Sequence, residues 1–222
     1  MNERIIIFDM DGTLYDLDDV VSMNYEMQVA FLSMKKNMSE EETVSILTKN
    51  HIFPTINKES KSATEFFLQI GLEKNEWTEY RETYFDVSKI KKENAIGDIT
   101  IHDFSNYGKL VLLTSNSYAN IQRILAYLGI SITFFSEVIC SDRYPYSEPF
   151  NKKSAMMYIA EKYNVPFSSV ISIGDRFITD IQPILDLGGK GVLIKKPSSL
   201  KMLLYDLIND KLQTNMMYEY YQ

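Results

Sequence analysis

Hydrophobic positions in this chain follow two rhythms. Short, nearly unbroken apolar runs occur at Ile5 to Phe8, Lys109 to Thr114, Phe134 to Cys140, Val170 to Ile173 and Gly191 to Ile194. Runs of this length predict strands buried on both faces, which have no polar side to show to water. Between the runs, apolar residues recur at helical spacing. After Ser117, residues Ile121, Ile124, Leu125 and Leu128 fall on one side of a helix that Gly129 can stop, while Lys152 to Tyr163 and Leu200 to Leu212 read as further helices, the last beyond Pro197. Strands alternating with helices predict an α/β fold, a Rossmann-like, doubly wound and mainly parallel sheet.

One long region breaks this alternation. Between the first and second strands the chain reads as helices over Tyr25 to Met34, Glu40 to Thr48, Lys61 to Ile70 and Trp77 to Ile90. Met27, Phe31 and Met34, like Phe66, Phe67 and Ile70, mark apolar helical faces that need a partner, so a compact helical insert fits better than a long loop. The chain therefore divides into an α/β core, 1–15 with 93–222, and an inserted helical domain, 16–92. The insert's aromatic residues read as its core, with a substrate contact left open for those from Tyr15 to Tyr25. The aromatic end, Met216 to Gln222, is expected to dock as a helix or form an interface.

Composition narrows the function. A chain of 222 residues can bury a substantial core, and its formal charge of −7, from interspersed acidic and basic residues, argues against a nucleic-acid polymer as partner. It does not exclude a small anion, since a lysine, backbone amides and a cation can build a local phosphate site in an acidic protein. Cys140 is the single cysteine and allows no internal disulfide, which suits a reducing, cytoplasmic setting. There is no recognisable leader, and the apolar runs are too short to span a membrane. His51 and His102 sit in no catalytic pattern and read as structural or surface residues.

The chemistry gathers at strand ends. Asp9 and Asp11 follow the first run, at the carboxyl end where open parallel sheets hold ligands. If Gly12 permits a sharp turn, the Asp9 side chain, the Met10 carbonyl and the Asp11 side chain can converge on a small hard cation; a plain aspartate-rich turn is the alternative. Thr114, Ser115 and Asn116 end the second run, and Asp175 and Asp180 follow the fourth; Asn151-Lys-Lys-Ser154 lies between them. In a parallel sheet these separated segments meet at one crevice and bring several carboxylates together with phosphate-binding donors.

At Asp9-Met-Asp-Gly-Thr-Leu14, Leu112-Leu-Thr-Ser-Asn116 and Gly174-Asp-Arg-Phe-Ile-Thr-Asp180 the chain resembles the haloacid dehalogenase superfamily of phosphohydrolases, and the insert resembles the helical cap of one large subgroup. The resemblance implies Mg²⁺-dependent hydrolysis of a small phosphomonoester. Asp9 would be the nucleophile that forms an aspartyl-phosphate, and Asp11 the acid/base. Asp9, the Met10 carbonyl and Asp175 would hold the metal, with Asp180 bound directly or in the surrounding shell. Thr114, with backbone donors of Ser115 and Asn116, would bind phosphate. The lysine expected beside phosphate is Lys152, with Lys153 as alternative; Glu148-Pro-Phe-Asn151 departs from the lysine-proline pair common in capped relatives.

By the same resemblance Asp11 opposes dehalogenation, since dehalogenating relatives generally lack an aspartate at that place. Transfer to an organic acceptor, as in a sugar phosphomutase, and a catalytically inactive ligand-binding protein remain as alternatives. A small phosphorylated metabolite is the expected partner, and neither its identity nor the oligomeric state follows from the sequence. Tyr15 is expected to contact substrate through its hydroxyl or to pack in the core.

Overall fold

The computed structural model describes residues 4–55, 62–144, 150–209, 211–212 and 216–220. Strand β1 (Ile5–Phe8) leads into helices α1 (Val21–Lys36), α2 (Glu40–Lys49), α3 (Ala63–Gln69) and α4 (Lys74–Tyr84). The chain continues through α5 (Asp98–Ser105), β2 (Lys109–Leu113), α6 (Tyr118–Leu128), β3 (Phe135–Ile139), α7 (Lys152–Lys162), β4 (Val170–Gly174), α8 (Gln182–Asp186), β5 (Lys190–Ile194), α9 (Leu200–Ile208) and β6 (Met217–Tyr220). It forms two compact units, Met1–Leu17 with Ile90–Gln222, and Asp18–Lys89.

The first unit is built on a six-stranded sheet in the order β3-β2-β1-β4-β5-β6, parallel throughout. All four residues of β1 are buried, because helices cover both faces of the sheet. Ile5 and Ile7 join Val111, Leu113 and Ile139 under Ala155, Met156 and Ile159 of α7. On the other face Phe8 meets Phe104 of α5 edge-on, with centroids 5.1 Å apart, and Phe135 at 6.5 Å. β1 is thus central although it comes first in the chain.

The second unit is helical. Phe31, Phe67 and Trp77 form its aromatic centre, with ring centroids 5.0 to 5.2 Å apart, and the Trp77 indole N–H donates to the Thr64 hydroxyl at 3.1 Å. Helix α2 starts at a capping box: the Ser39 hydroxyl accepts from the Glu42 amide, and the Glu42 carboxylate accepts from the Ser39 amide.

Three expectations from the sequence need correction. The aromatic C-terminal segment is not a docking helix, since Met217–Tyr220 pairs with β5 as an edge strand. Met34 does not belong to the buried face of α1 and is 58% exposed. The helix expected from Leu200 to Leu212 ends at Ile208. His51 and His102 are both exposed, and Cys140 is buried with its thiol pushed up to about 12 by burial and by the neighbouring Asp142 carboxylate, which leaves it unreactive. Among the described residues no helix is long and apolar enough to cross a membrane.

Candidate active site

The parallel sheet delivers β1, β2 and β4 side by side, so the residues that follow each of them emerge together at one edge. Asp9 directly follows β1 and is held to β4 by its amide, which donates to the Ile173 carbonyl at 2.9 Å. Its side chain is nearly enclosed. One oxygen of Asp9, one of Asp175 and one of Asp180 lie within 4.8 Å of one another.

Two glycines make this convergence possible. Gly12 adopts φ +80°, and a Cβ built on it would stand 2.5 Å from Asp175 Oδ2. A Cβ on Gly174 would stand 2.4 Å from the Cβ of Asp180. Each glycine therefore vacates the space that a carboxylate fills. The need for a turn at Gly12 was readable from the sequence, whereas the role of Gly174 depends on a close approach that no local pattern announces.

Lys152, the first residue of α7, supplies the cation. Its ammonium donates to Asp9 Oδ1 at 2.6 Å and to Asp180 Oδ1 at 2.7 Å. Lys153 turns outward, half-exposed, 3.6 Å from Asp186. Of the two neighbouring lysines, Lys152 is the one that reaches the carboxylates. The buried residues Ala155, Met156 and Ile159 lie three, four and seven places beyond it, on the same stripe of α7. That spacing is a sequence signal that singles out Lys152. The preceding Glu148 and Pro149, where the sequence departs from the family's usual pair, lie outside the described residues.

Asp180 is the most heavily bonded of the carboxylates. Besides Lys152, its Oδ1 accepts from the Thr179 hydroxyl at 3.0 Å and its Oδ2 from the Arg176 amide at 3.0 Å, while its own carbonyl accepts from Ser172 Oγ at 2.7 Å. It ties the segment after β4 into shape. Asp175 differs: its Oδ1 is buried with no hydrogen-bond partner. An orphaned carboxylate oxygen beside two further carboxylates is the donor set of a hard divalent cation, and the residues present fit one.

The electrostatics agree. Burial pushes the Asp9 carboxyl well above the usual carboxylate range; Lys152 opposes this, and Asp180, Asp175 and Asp11 add to it. Burial, reinforced by Asp180, raises Asp175 from 3.8 to about 6. For Lys152, burial alone would lower the ammonium, but Asp9 and Asp180 outweigh it and hold it above its ordinary range. Burial is the largest cause for Asp9 and Asp175 and the neighbouring carboxylates add to it, whereas for Lys152 those same carboxylates override burial.

Two of the expected donors make hydrogen bonds within the chain. The Met10 carbonyl accepts the amides of Thr13 at 3.2 Å and Leu14 at 2.9 Å within the turn. The Asn116 amide donates to Thr114 Oγ1 at 3.2 Å. The Asn116 side chain reaches Asp11, with Nδ2 3.5 Å from both carboxylate oxygens. Thr114 is buried at the end of β2 and keeps its own hydroxyl proton to donate, and Ser115 is exposed beside it. Tyr15, left open between substrate contact and packing, is fully buried and donates its hydroxyl to Asp11.

A parallel sheet that gathers acidic side chains and a buried lysine beyond its strand ends makes this an α/β protein with a candidate catalytic crevice. The haloacid dehalogenase-like hydrolase family matches residues 3–188, and the chain belongs to that family. Among solved structures, a HAD phosphatase from Thermococcus onnurineus is 20% identical, with a TM-score of 0.57 and 86% of each chain covered. A hydrolase from Pseudomonas syringae is 16% identical, with a TM-score of 0.57 over 99% of this chain and 93% of the other. A β-phosphoglucomutase from Clostridium difficile is 19% identical, with a TM-score of 0.52 over 94% and 98%. At these identities the likeness is one of fold. No curated protein matches the chain.

Proposed function

We propose that the protein is a Mg²⁺-dependent phosphatase of small phosphomonoesters that works through an aspartyl-phosphate on Asp9. The observation that carries this reading is the Lys152 ammonium placed between Asp9 and Asp180, with Asp175 alongside and Asp11 two residues further on. A carboxylate set beside a fixed cation is a nucleophile suited to an anionic phosphorus centre, whose own charge would otherwise repel it.

Asp9 attacks phosphorus and the ester oxygen leaves, taking a proton from Asp11. Water then attacks the acyl-phosphate, gives its proton to Asp11 and releases phosphate, restoring Asp9. Lys152 and the Thr114 hydroxyl neutralise and orient the phosphoryl oxygens. Asp9 and Asp175 would hold the divalent cation, which supplies charge neutralisation of phosphate and nucleophile. Asp180 serves from the surrounding shell, because its oxygens already accept from Lys152, Thr179 and Arg176. The helical insertion, by its likeness to a cap, is proposed to set the choice of substrate, and a reducing cytoplasmic setting suits a soluble metabolite.

The test is phosphate release from a broad panel of phosphomonoesters with and without Mg²⁺, run beside Asp9→Asn. The expected outcome is Mg²⁺-dependent release by the wild type and a loss on the order of 10³-fold or more in the variant. Equal release by both proteins would remove Asp9 as nucleophile. A second reading, transfer to an organic acceptor, draws on the fold shared with a β-phosphoglucomutase. It predicts phosphate retained in an organic product instead of set free.

A further inference from the structure

We propose that Tyr15 is a positioning residue for Asp11, fixing which carboxylate oxygen exchanges the proton with the leaving group and with water. The inference rests on the phosphomonoesterase reading above. Its basis is geometric. Tyr15 is fully buried and its hydroxyl donates to Asp11 Oδ1. The ring cannot swing freely, because the Tyr15 backbone bridges to Asp11 on one side and to Ala95 on the other, and the adjoining Leu14 carbonyl accepts the Ile96 amide at 2.8 Å.

The donated hydrogen bond has a chemical consequence. Asp11 must alternate between a carboxylic acid and a carboxylate during one turnover. The carbonyl oxygen of a carboxylic acid is a better acceptor than its hydroxyl oxygen, so the oxygen that accepts from Tyr15 in both states is favoured as the carbonyl and the exchangeable proton is placed on Oδ2. In the first step the Oδ2–H bond breaks as the proton passes to the departing ester oxygen, the P–O(ester) bond breaks and the Asp9–phosphorus bond forms. In the second, a water O–H bond breaks as its proton returns to Oδ2, the water oxygen bonds to phosphorus and the Asp9–phosphorus bond breaks. Asn116 Nδ2 lies 3.5 Å from both oxygens, at the outer limit of a hydrogen bond, and does not discriminate between them. Tyr15 does.

Tyr15→Phe keeps the ring and removes only the hydroxyl. The readout is kcat/KM across esters of graded leaving groups, from p-nitrophenyl phosphate, whose phenolate departs without a proton, to simple alkyl phosphates, whose alkoxide does not. A positioning role predicts near-wild-type kcat/KM on the aryl ester and a loss of about 10- to 100-fold on alkyl esters, the scale of misplaced general acid catalysis. It also predicts no further loss when Tyr15→Phe is added to Asp11→Asn. A uniform loss across the series, no loss at all, or additive losses in the double variant overturns the inference while leaving the phosphatase reading intact. A wild type that releases phosphate from none of the esters removes that reading and this inference with it. Matching thermal melts of the wild type and Tyr15→Phe confirm that both are folded.

Discussion

Lys152 stands between two buried carboxylates, and its replacement separates electrostatic from catalytic effects. Lys152→Met retains length and apolar stem but leaves Asp9 and Asp180 facing each other without the ammonium. Stripping one partner from a buried charge cluster costs about 3–5 kcal/mol. We expect a loss of that order in denaturant titrations without metal, and phosphate release reduced at least roughly 10²-fold. Unchanged stability would show that the carboxylates take up protons freely in place of the ammonium. At this scale the sequence exposed the reacting types but not their partners. Asp9, Asp11, Asp175 and Asp180 stand out because carboxylates follow apolar strands. The contacts of the Tyr15 hydroxyl and the Asn116 side chain with Asp11 were not legible, because a hydrogen bond between separated segments leaves no local trace, and neither do the amides that the Met10 carbonyl accepts within the turn.

Helix α7 does for the site what one side chain cannot: it fixes where the Lys152 stem begins. Its first turn is capped by Asn151, whose Oδ1 accepts the amides of Lys153 at 2.8 Å and Ser154 at 3.2 Å. Asn151→Ala should cost about 1 kcal/mol in stability. Fraying of that turn should also lower kcat/KM several-fold, about 3- to 10-fold, through Lys152, a factor read by steady-state kinetics beside a thermal melt. A stability loss with unchanged kinetics would show that packing of Ala155, Met156 and Ile159 holds the lysine without the cap. The interior strands and the long helices were legible because burial on both faces, or on one stripe, writes directly into composition. Helix α5 was not. It has eight residues and begins at Gly97 with no side-chain cap, so neither length nor a start signal marks it. Strand β6 escaped because it is short and lies at the sheet edge, where three of its four residues are not buried and no apolar run forms.

Across the whole molecule, the carboxylate cluster couples stability to pH and to metal. Asp175, raised to about 6 by burial and by Asp180 against the opposing effect of Arg176, binds its proton more tightly folded than unfolded, where 3.8 applies. The unfolded chain then holds fewer protons across that interval, so the folded state is favoured at low pH and loses this contribution as pH rises from about 4 through about 6. Asp9 acts in the same direction. In chelator, the melting temperature should carry a component that falls across this range. Mg²⁺, bound as proposed, would supply the missing positive charge, so the stabilisation it confers should grow as pH rises. Thermal melts from pH 4 to 8 with and without Mg²⁺ test this, with Asp175→Asn as the control expected to flatten both trends. A Mg²⁺ shift of constant size across that range would place the binding energy elsewhere.

The order of strands in the sheet differs from their order in the chain, and this bears on how the protein is made. β1 is synthesised first, yet it pairs with β2 through Ile5 and Lys109 and with β4 through Ile5 and Val170. β1, made before both of its sheet neighbours, must therefore wait, shielded by chaperone or by transient collapse, until β2 and β4 have been synthesised. Asp9, the proposed nucleophile, is translated well before Val170, so the proposed reaction centre cannot assemble until β4 arrives. Chains truncated before Val170 should be prone to aggregate and catalytically silent, whatever their helical insertion has already folded into.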